Sequence, residues 1–177
     1  MSLHDDTEPQ PGTPAWEHRR AGNAEQVRAG KRLCSKILVR DEDGNVLIVN
    51  PTYKQGWDLP GGMGRLNEPP SATADREFRE ELGTDVTIPE PLQPLIIDWE
   101  AAHGPWDDQL VFVFVGVLTA NQRAQLHIAD PEIDAFEFMP VDTVLTKLHP
   151  DVADRLQRAL AAASAGHAVY SETTTRS

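Results

Sequence analysis

Residues 62–83 of this 177-residue chain read GMGRLNEPPSATADREFREELG, and they contain the most informative helical pattern of the sequence. The pattern predicts a helix over residues 69–82 that ends at Gly83. Ala74, Phe78 and Leu82 recur every fourth residue and form one apolar stripe. We expect this stripe to pack against a hydrophobic core.

Three glutamates lie on one flank of the predicted helix. At about 100° per residue, Glu81 lies roughly 60° from the centre of the apolar stripe, Glu77 roughly 100° and Glu80 roughly 160°. Like charges at this spacing destabilise a helix by a few tenths of a kcal/mol unless a cation neutralises them. A divalent ion would do so, since Mg²⁺ and Mn²⁺ prefer oxygen ligands. On the helix alone, a solvated acidic face paired with Arg76 and Arg79 explains the pattern equally well.

The residues on either side of the glutamates extend the pattern to a longer motif. Gly62 is followed after five residues by Glu68, and after seven more by Arg76-Glu77-Phe78-Arg79-Glu80-Glu81-Leu82-Gly83. This spacing is the signature box of the Nudix hydrolases, and the sequence resembles that family. The preceding Trp57-Asp58-Leu59-Pro60-Gly61 is also similar to the family's usual lead-in. The resemblance implies an α/β fold: an α/β/α sandwich with a mixed β-sheet, in which the box forms a loop, a helix and a loop.

The resemblance also implies a metal site and a reaction. The expected ligands of Mg²⁺, with Mn²⁺ as an alternative ion, are Glu77, Glu80, Glu81 and the carbonyl of Gly61. Glu68 would support the loop, and Arg76 would orient a box carboxylate. The family hydrolyses a nucleoside diphosphate linked to another group, and a carboxylate takes the proton of the attacking water. Glu77 and Glu81 are the candidates for that role within the box.

A further candidate for the base lies downstream. The pattern acid-Ile-x-x-Phe that begins at Glu132 resembles a strand of the family in which a glutamate often reaches the metal site. Glu132 is therefore a candidate base or additional ligand, and an ordinary loop acid is the alternative. Two departures from the box are visible in its loop: Asn67 stands where glycine often precedes the glutamate, and Arg65 stands where many members have an acid.

The substrate stays open at this level. Arg65 is a candidate for binding a substrate phosphate, although an exposed loop charge explains it too, and Trp106 is a candidate surface for stacking a base. ADP-ribose pyrophosphatases of this family tend to carry a proline about sixteen residues beyond the box, where this chain has Trp99. A nucleotide sugar, a nucleoside triphosphate and an oxidised nucleotide all remain open. A nucleotide sensor without activity would be expected to lose box glutamates, which this chain keeps.

Strands and helices are predicted on both sides of the box. RLCSKILVR at 32–40 and VLIV at 46–49 predict a β-hairpin across a turn at 41–44. Further strands are predicted at 57–59, 93–101, 109–119 and 135–139, with helices at 141–148 and around Val152, Leu156 and Leu160. The domain is expected to span residues 31–164. Residues 1–30 are expected to form a polar tail with a short helix from Pro14, and residues 165–177 a polar tail.

Composition limits the partners. The chain has 28 acidic and 16 basic side chains and a formal net charge of −12, which argues against a long nucleic acid. A phosphorylated small molecule remains compatible if a metal ion attracts it. The single cysteine, Cys34, excludes an internal disulfide, and no apolar run approaches the length of a membrane helix. We therefore expect a cytoplasmic protein without a membrane partner. The sequence leaves open whether the domain forms a homodimer, as many members of the family it resembles do.

Overall fold

The computed structural model describes residues 12–14, 17, 30–83, 93–102 and 107–174. The chain divides into two compact units, residues 1–31 and residues 32–177. In the first unit the Glu17 amide donates to the Thr13 carbonyl at 3.0 Å, as in one helical turn. The rest of the helix predicted from Pro14 lies outside the described residues.

The second unit contains a seven-stranded mixed sheet with the order β6-β2-β1-β5-β4-β7, and β3 pairs with β1. Its strands are β1 (Arg32–Arg40), β2 (Val46–Pro51), β3 (Gly61–Met63), β4 (Gln93–Glu100), β5 (Gln109–Val117), β6 (Ile133–Met139) and β7 (Val169–Thr173). β1 pairs in parallel with β5 and antiparallel with β2 and β3. β1 is therefore the central strand, and it carries the apolar run that the sequence predicts for the hairpin.

Helices cover both faces of this sheet. They are α1 (Pro70–Leu82), α2 (Ala120–Arg123), α3 (Val141–Lys147) and α4 (Pro150–Ala165). One core contains the α1 stripe of Ala74, Phe78 and Leu82 together with β1, β2 and β5 residues. A second core contains residues from α3 and α4 on the other face. The predicted α/β/α sandwich with a mixed sheet is confirmed. None of the helices in the described ranges combines the length and the apolar composition that crossing a membrane requires.

Two parts of the chain differ from the sequence expectation. Trp57 and Asp58 make only isolated bridges, and the short strand of this region is β3, three residues further on. Part of the expected polar C-terminal tail, Val169–Thr173, is strand β7, which pairs in parallel with β4. Its polar residues have a structural reason, because the hydroxyls of Ser171 and Thr173 donate to the buried carboxylate of Asp98.

The α1 stripe provides a test of the fold. Phe78 is completely buried, so we expect Phe78→Ala to lower the free energy of unfolding by about 3–5 kcal/mol through a lost contact surface and a cavity. Urea denaturation measures this loss. Val117→Ala, at a valine that is 52% exposed, is the matched control and should change stability by less than about 0.5 kcal/mol. Equal effects of the two substitutions would contradict the packing of α1.

Candidate active site

The loop before α1 is fixed by the residues that distinguish this box. Asn67 has φ +63°, a left-handed conformation that asparagine tolerates better than most residues, which explains why it can replace a glycine. The Glu68 amide donates to the Arg65 carbonyl at 3.1 Å, and the Arg65 amide donates to a Glu68 carboxylate oxygen at 2.9 Å. Pro70 occupies the first turn of α1, where its missing amide hydrogen costs nothing.

Arg76 connects this loop with the acidic flank of α1. Its guanidinium donates from Nε and Nη2 to the two oxygens of Glu68 at 2.7 and 2.9 Å, a bidentate pair. Nη1 donates to Glu77 Oε1 and to Glu80 Oε2, each at 2.7 Å, and Nη2 also reaches the Met63 carbonyl at 3.0 Å. The hydrogen bonds from Arg76 lower the pKa of Glu68 to about 2. The two expected roles, Glu68 as support and Arg76 as the orienting cation, fit these contacts.

Glu81 faces the first residue of β3. Its Oε2 accepts the Gly61 amide at 3.0 Å. Burial raises the pKa of Glu81 to about 7, although the charge of Lys36 and the Gly61 amide oppose this shift. Glu80 is more exposed than Glu77, at 39% against 19% of the side chain, as their positions on the predicted helix lead one to expect.

Gly61 and Gly62 bring the loop backbone close to its neighbours. Gly61 has φ +127°, and a Cβ there would lie 2.2 Å from the Ser35 carbonyl oxygen of β1. A Cβ at Gly62 would lie 2.6 Å from the Glu77 carboxylate. The first glycine allows the backbone of β3 to approach β1, and the second leaves room for a box carboxylate.

One cleft of about 340 Å³ is lined by most of the predicted site residues, whereas Glu68 is not among its lining residues. Its lining includes Gly61, Arg65, Arg76, Glu77, Glu80, Glu81 and Glu132. Arg65 is 64% exposed and donates to Glu80 Oε1 at 2.8 Å. The lining residues that sequence reasoning missed include Tyr53 and Asp130, because both lie in loops without a motif. Trp106 lies outside the described residues.

Glu132 reaches this cleft because its backbone is held in place. The Glu132 amide donates to Asp130 Oδ1 at 2.8 Å, and the Glu132 carbonyl accepts a hydrogen bond from the Thr52 amide at 2.8 Å. The Ala129 amide donates to the Glu81 carbonyl at 3.0 Å, which ties the same loop to the end of α1. Within the described residues the Glu132 carboxylate has no hydrogen-bond partner, so it is available to a ligand in the cleft.

A partly buried lysine, Lys36, lies beneath the loop, at a position that carries no motif. Lys36 Nζ donates to Asp58 Oδ2 at 3.1 Å, to the Leu59 carbonyl at 3.2 Å and to the Gly61 carbonyl at 2.7 Å. Burial disfavours the charge of Lys36, but the attraction of Asp58 outweighs it and the pKa of Lys36 is raised. Burial opposes the charge of Asp58 too, yet Lys36 and Lys54 lower the pKa of Asp58 to about 2. The sequence signal that could have indicated this site is the single lysine inside the apolar strand RLCSKILVR.

A second cavity of about 190 Å³ adjoins the cleft. The two share Tyr53, Gly61, Gly62 and Met63 in their linings. The polar part of the second lining comes from Lys36, Lys54, Asp58, Gln109 and Arg155, and the apolar part includes Cys34, Val111 and Val152. A molecule with a pyrophosphate in the cleft therefore has adjacent space for another of its groups.

The chemistry of the cleft suits a divalent cation. Glu77, Glu80 and Glu81 supply hard carboxylate oxygens, and the absence of a side chain at Gly62 keeps Glu77 accessible. In the part of the chain that the structure describes, no three acidic, histidine or cysteine side chains already form a ligand set. The reason lies in their partners: Arg76 bridges Glu77 and Glu80, and the Gly61 amide holds Glu81. A metal ion would have to replace part of this pairing.

Comparison with known proteins identifies the family of this chain. The model of the NUDIX domain matches residues 30–160 of the chain. The chain belongs to the Nudix family. The ADP-ribose pyrophosphatase of Mycobacterium tuberculosis is 27% identical over 139 residues, which cover 75% of this chain and 64% of that relative. A MutT-like protein of Streptomyces ambofaciens is 39% identical over 54 residues, or 30% of this chain and 34% of the relative. The matched stretches thus span less than two thirds of both curated relatives.

The fold of this Nudix domain also matches solved structures. The NUDIX domain of Shewanella oneidensis NrtR, solved in complex with ADP ribose, superimposes with a TM-score of 0.62 at 18% identity. The match covers 78% of this chain and 96% of that one. At this identity the likeness establishes the fold alone.

The two glycines of the Nudix loop should respond differently to alanine. Gly61→Ala forces a left-handed φ on alanine and a contact with backbone, so we expect a loss of about 2 kcal/mol or more in the free energy of unfolding. Gly62→Ala meets only the flexible end of Glu77, so we expect less than about 1 kcal/mol lost but weaker Mn²⁺ binding. Urea denaturation and calorimetric Mn²⁺ titration measure the two effects. A Gly62→Ala protein that binds Mn²⁺ as the wild type does would argue against Glu77 as a ligand.

Proposed function

We propose that this Nudix domain is a Mg²⁺-dependent pyrophosphohydrolase that cleaves a nucleoside diphosphate linked to another group. The observation that carries the proposal is the convergence of Glu77, Glu80, Glu81 and Glu132 on one cleft, beside a second cavity that can receive the rest of the substrate. The named activity of the Mycobacterium tuberculosis relative makes ADP-ribose the first substrate to test.

In this proposal Glu77, Glu80 and Glu81 hold the metal ion. A bound divalent ion would neutralise charge on the pyrophosphate oxygens and lower the pKa of a bound water. Arg76, held by the bidentate pair with Glu68, keeps Glu77 and Glu80 oriented toward the cleft. The Gly61 amide fixes the direction of Glu81.

The remaining roles belong to residues at the rim of the cleft. Glu132 is the proposed general base, since its backbone is fixed and its carboxylate is unpaired within the described residues. Arg65 is the proposed phosphate ligand, because its exposed guanidinium lines the cleft. Its ion pair with Glu80 is accessible to solvent, so a phosphate can reach the guanidinium. Trp106 remains a prediction for base stacking.

A substrate screen tests the activity. With Mg²⁺ we expect turnover of at least one compound among ADP-ribose, NADH, dinucleoside polyphosphates, and normal or oxidised nucleoside triphosphates, and no turnover with EDTA. Glu81→Gln should reduce kcat by at least about 100-fold, because it removes a charged group from the metal site. Glu137→Gln, at an exposed glutamate of β6 outside the cleft lining, is the control and should retain full activity.

The same screen separates an enzyme from a nucleotide sensor. Unchanged turnover in Glu81→Gln would contradict the metal-site assignment. Ligand-induced thermal stabilisation by ADP-ribose without any turnover would instead favour a binding domain, the alternative that the sequence left open.

The role of Glu132 has its own test. Loss of a general base lowers rates by about 10²–10⁴-fold, so Glu132→Gln should reduce kcat in that range and leave the Mn²⁺ affinity close to that of the wild type. Asp134→Asn, at an exposed acid two residues further along β6, is the matched control. A kcat of Glu132→Gln equal to that of Asp134→Asn would remove Glu132 from the reaction.

A further inference from the structure

The Gly61 carbonyl is expected to be a metal ligand, yet a cation of the chain already lies on it. Lys36 Nζ donates to this oxygen at 2.7 Å, the shortest of the three hydrogen bonds that its ammonium makes. We propose that Lys36 is a resident cation that takes the place of a metal ion at the Gly61 carbonyl, so that the box carboxylates bind their divalent ion without this oxygen. The inference rests on the metal site of the proposed function and defines its ligand set.

The position of the ammonium is strongly determined. Lys36 lies on the central strand β1, and its side chain is only 14% exposed. A lysine ammonium has three N–H donors, and here they have three acceptors: Asp58 Oδ2, the Leu59 carbonyl and the Gly61 carbonyl. All three N–H donors are therefore satisfied, so the ammonium would gain no further hydrogen bond by moving.

Moving Lys36 away would also leave Asp58 poorly compensated. Asp58 is 5% exposed, and its Oδ1 is used by the Leu59 amide at 2.7 Å. Its Oδ2 is shared by Lys36 and by Lys54, which is 40% exposed. A buried carboxylate that loses one of its cations is costly, so the structure favours keeping Lys36 in place.

A metal ion on the same oxygen would be too close to Lys36. Mg²⁺ binds oxygen at about 2.1 Å, so an ion on the Gly61 carbonyl would lie within about 5 Å of the Lys36 nitrogen at any angle. Two positive charges at that separation repel each other strongly in a partly buried site. The ammonium and the ion therefore exclude each other at this carbonyl.

The backbone of Gly61 also links Lys36 to the box. Lys36 holds the Gly61 carbonyl, while the Gly61 amide donates to Glu81 Oε2 at 3.0 Å. Lys36 is thus a positioning residue for Glu81, besides being the cation that shields one side of the site.

Counting bound Mn²⁺ tests the inference without measuring turnover. Titration followed by electron paramagnetic resonance gives the number of ions per chain for the wild type, Lys36→Met, Lys36→Arg and Lys54→Met. We expect Lys36→Met to bind one more Mn²⁺ per chain than the wild type, because it frees the Gly61 carbonyl. Lys36→Arg keeps the charge and Lys54→Met removes the other partner of Asp58, so both should match the wild type. An equal count in Lys36→Met and the wild type would overturn the inference.

A measurement on the wild type does not depend on any variant folding. With ¹³C in the backbone carbonyl of Gly61 and in the glutamate carboxyl carbons, addition of Mg²⁺ should shift Glu77 and Glu80 signals and leave the Gly61 carbonyl unchanged. A Gly61 shift as large as those of the glutamates would overturn the inference. If no glutamate signal shifted, the metal site of the proposed function would fail, and this inference with it.

Discussion

The site depends on the ion pairs that the guanidinium of Arg76 makes with nearby carboxylates. Glu77, Glu80 and Glu81 are crowded on one flank of α1, and such like charges oppose the helix that carries them. Arg76 bonds with Glu77, Glu80 and Glu68, and it reaches the Met63 carbonyl as well. One side chain therefore neutralises the acidic flank and attaches the loop to the helix.

The sandwich explains why this acidic flank lies at a cleft rather than in open solvent. The apolar stripe of α1 is buried against the sheet, which fixes the rotation of the helix and directs the glutamates toward the β3 loop. Gly61 allows that loop to approach β1, where Lys36 donates to the Gly61 carbonyl and Glu81 accepts from the Gly61 amide. The loop at Glu132 closes the other side through its hydrogen bonds to Thr52 and to the end of α1.

Sequence alone predicted the parts of the fold that follow a local pattern. The helix at 69–82 begins one residue later than expected, and the strands around 93–101, 109–119 and 135–139 are confirmed within a few residues. Strand β7 was missed because its serine and threonine face a buried aspartate from β4, a partner distant in the chain. The amino-acid composition of such a polar edge strand does not distinguish it from an unstructured polar tail.

The same distinction applies to the candidate site. The box glutamates and Arg76 could be named because their chemistry repeats at fixed spacing along one helix. Lys36, Tyr53 and Asp130 could not, since only the pairing of β1 with β3 and the closeness of two loops bring them to the cleft. A single lysine within an apolar strand is typically exposed, whereas the hydrogen bonds of Lys36 to Asp58 and to two backbone carbonyls hold its side chain mostly out of solvent.

The central claim is that the acidic flank of α1 exists to hold a divalent cation. Anomalous diffraction from crystals soaked in Mn²⁺ tests it most directly, because it locates the ion without reference to activity. The account predicts a peak in the cleft, within about 2.3 Å of carboxylate oxygens of Glu77, Glu80 and Glu81. Crystals with no Mn²⁺ peak there would contradict it.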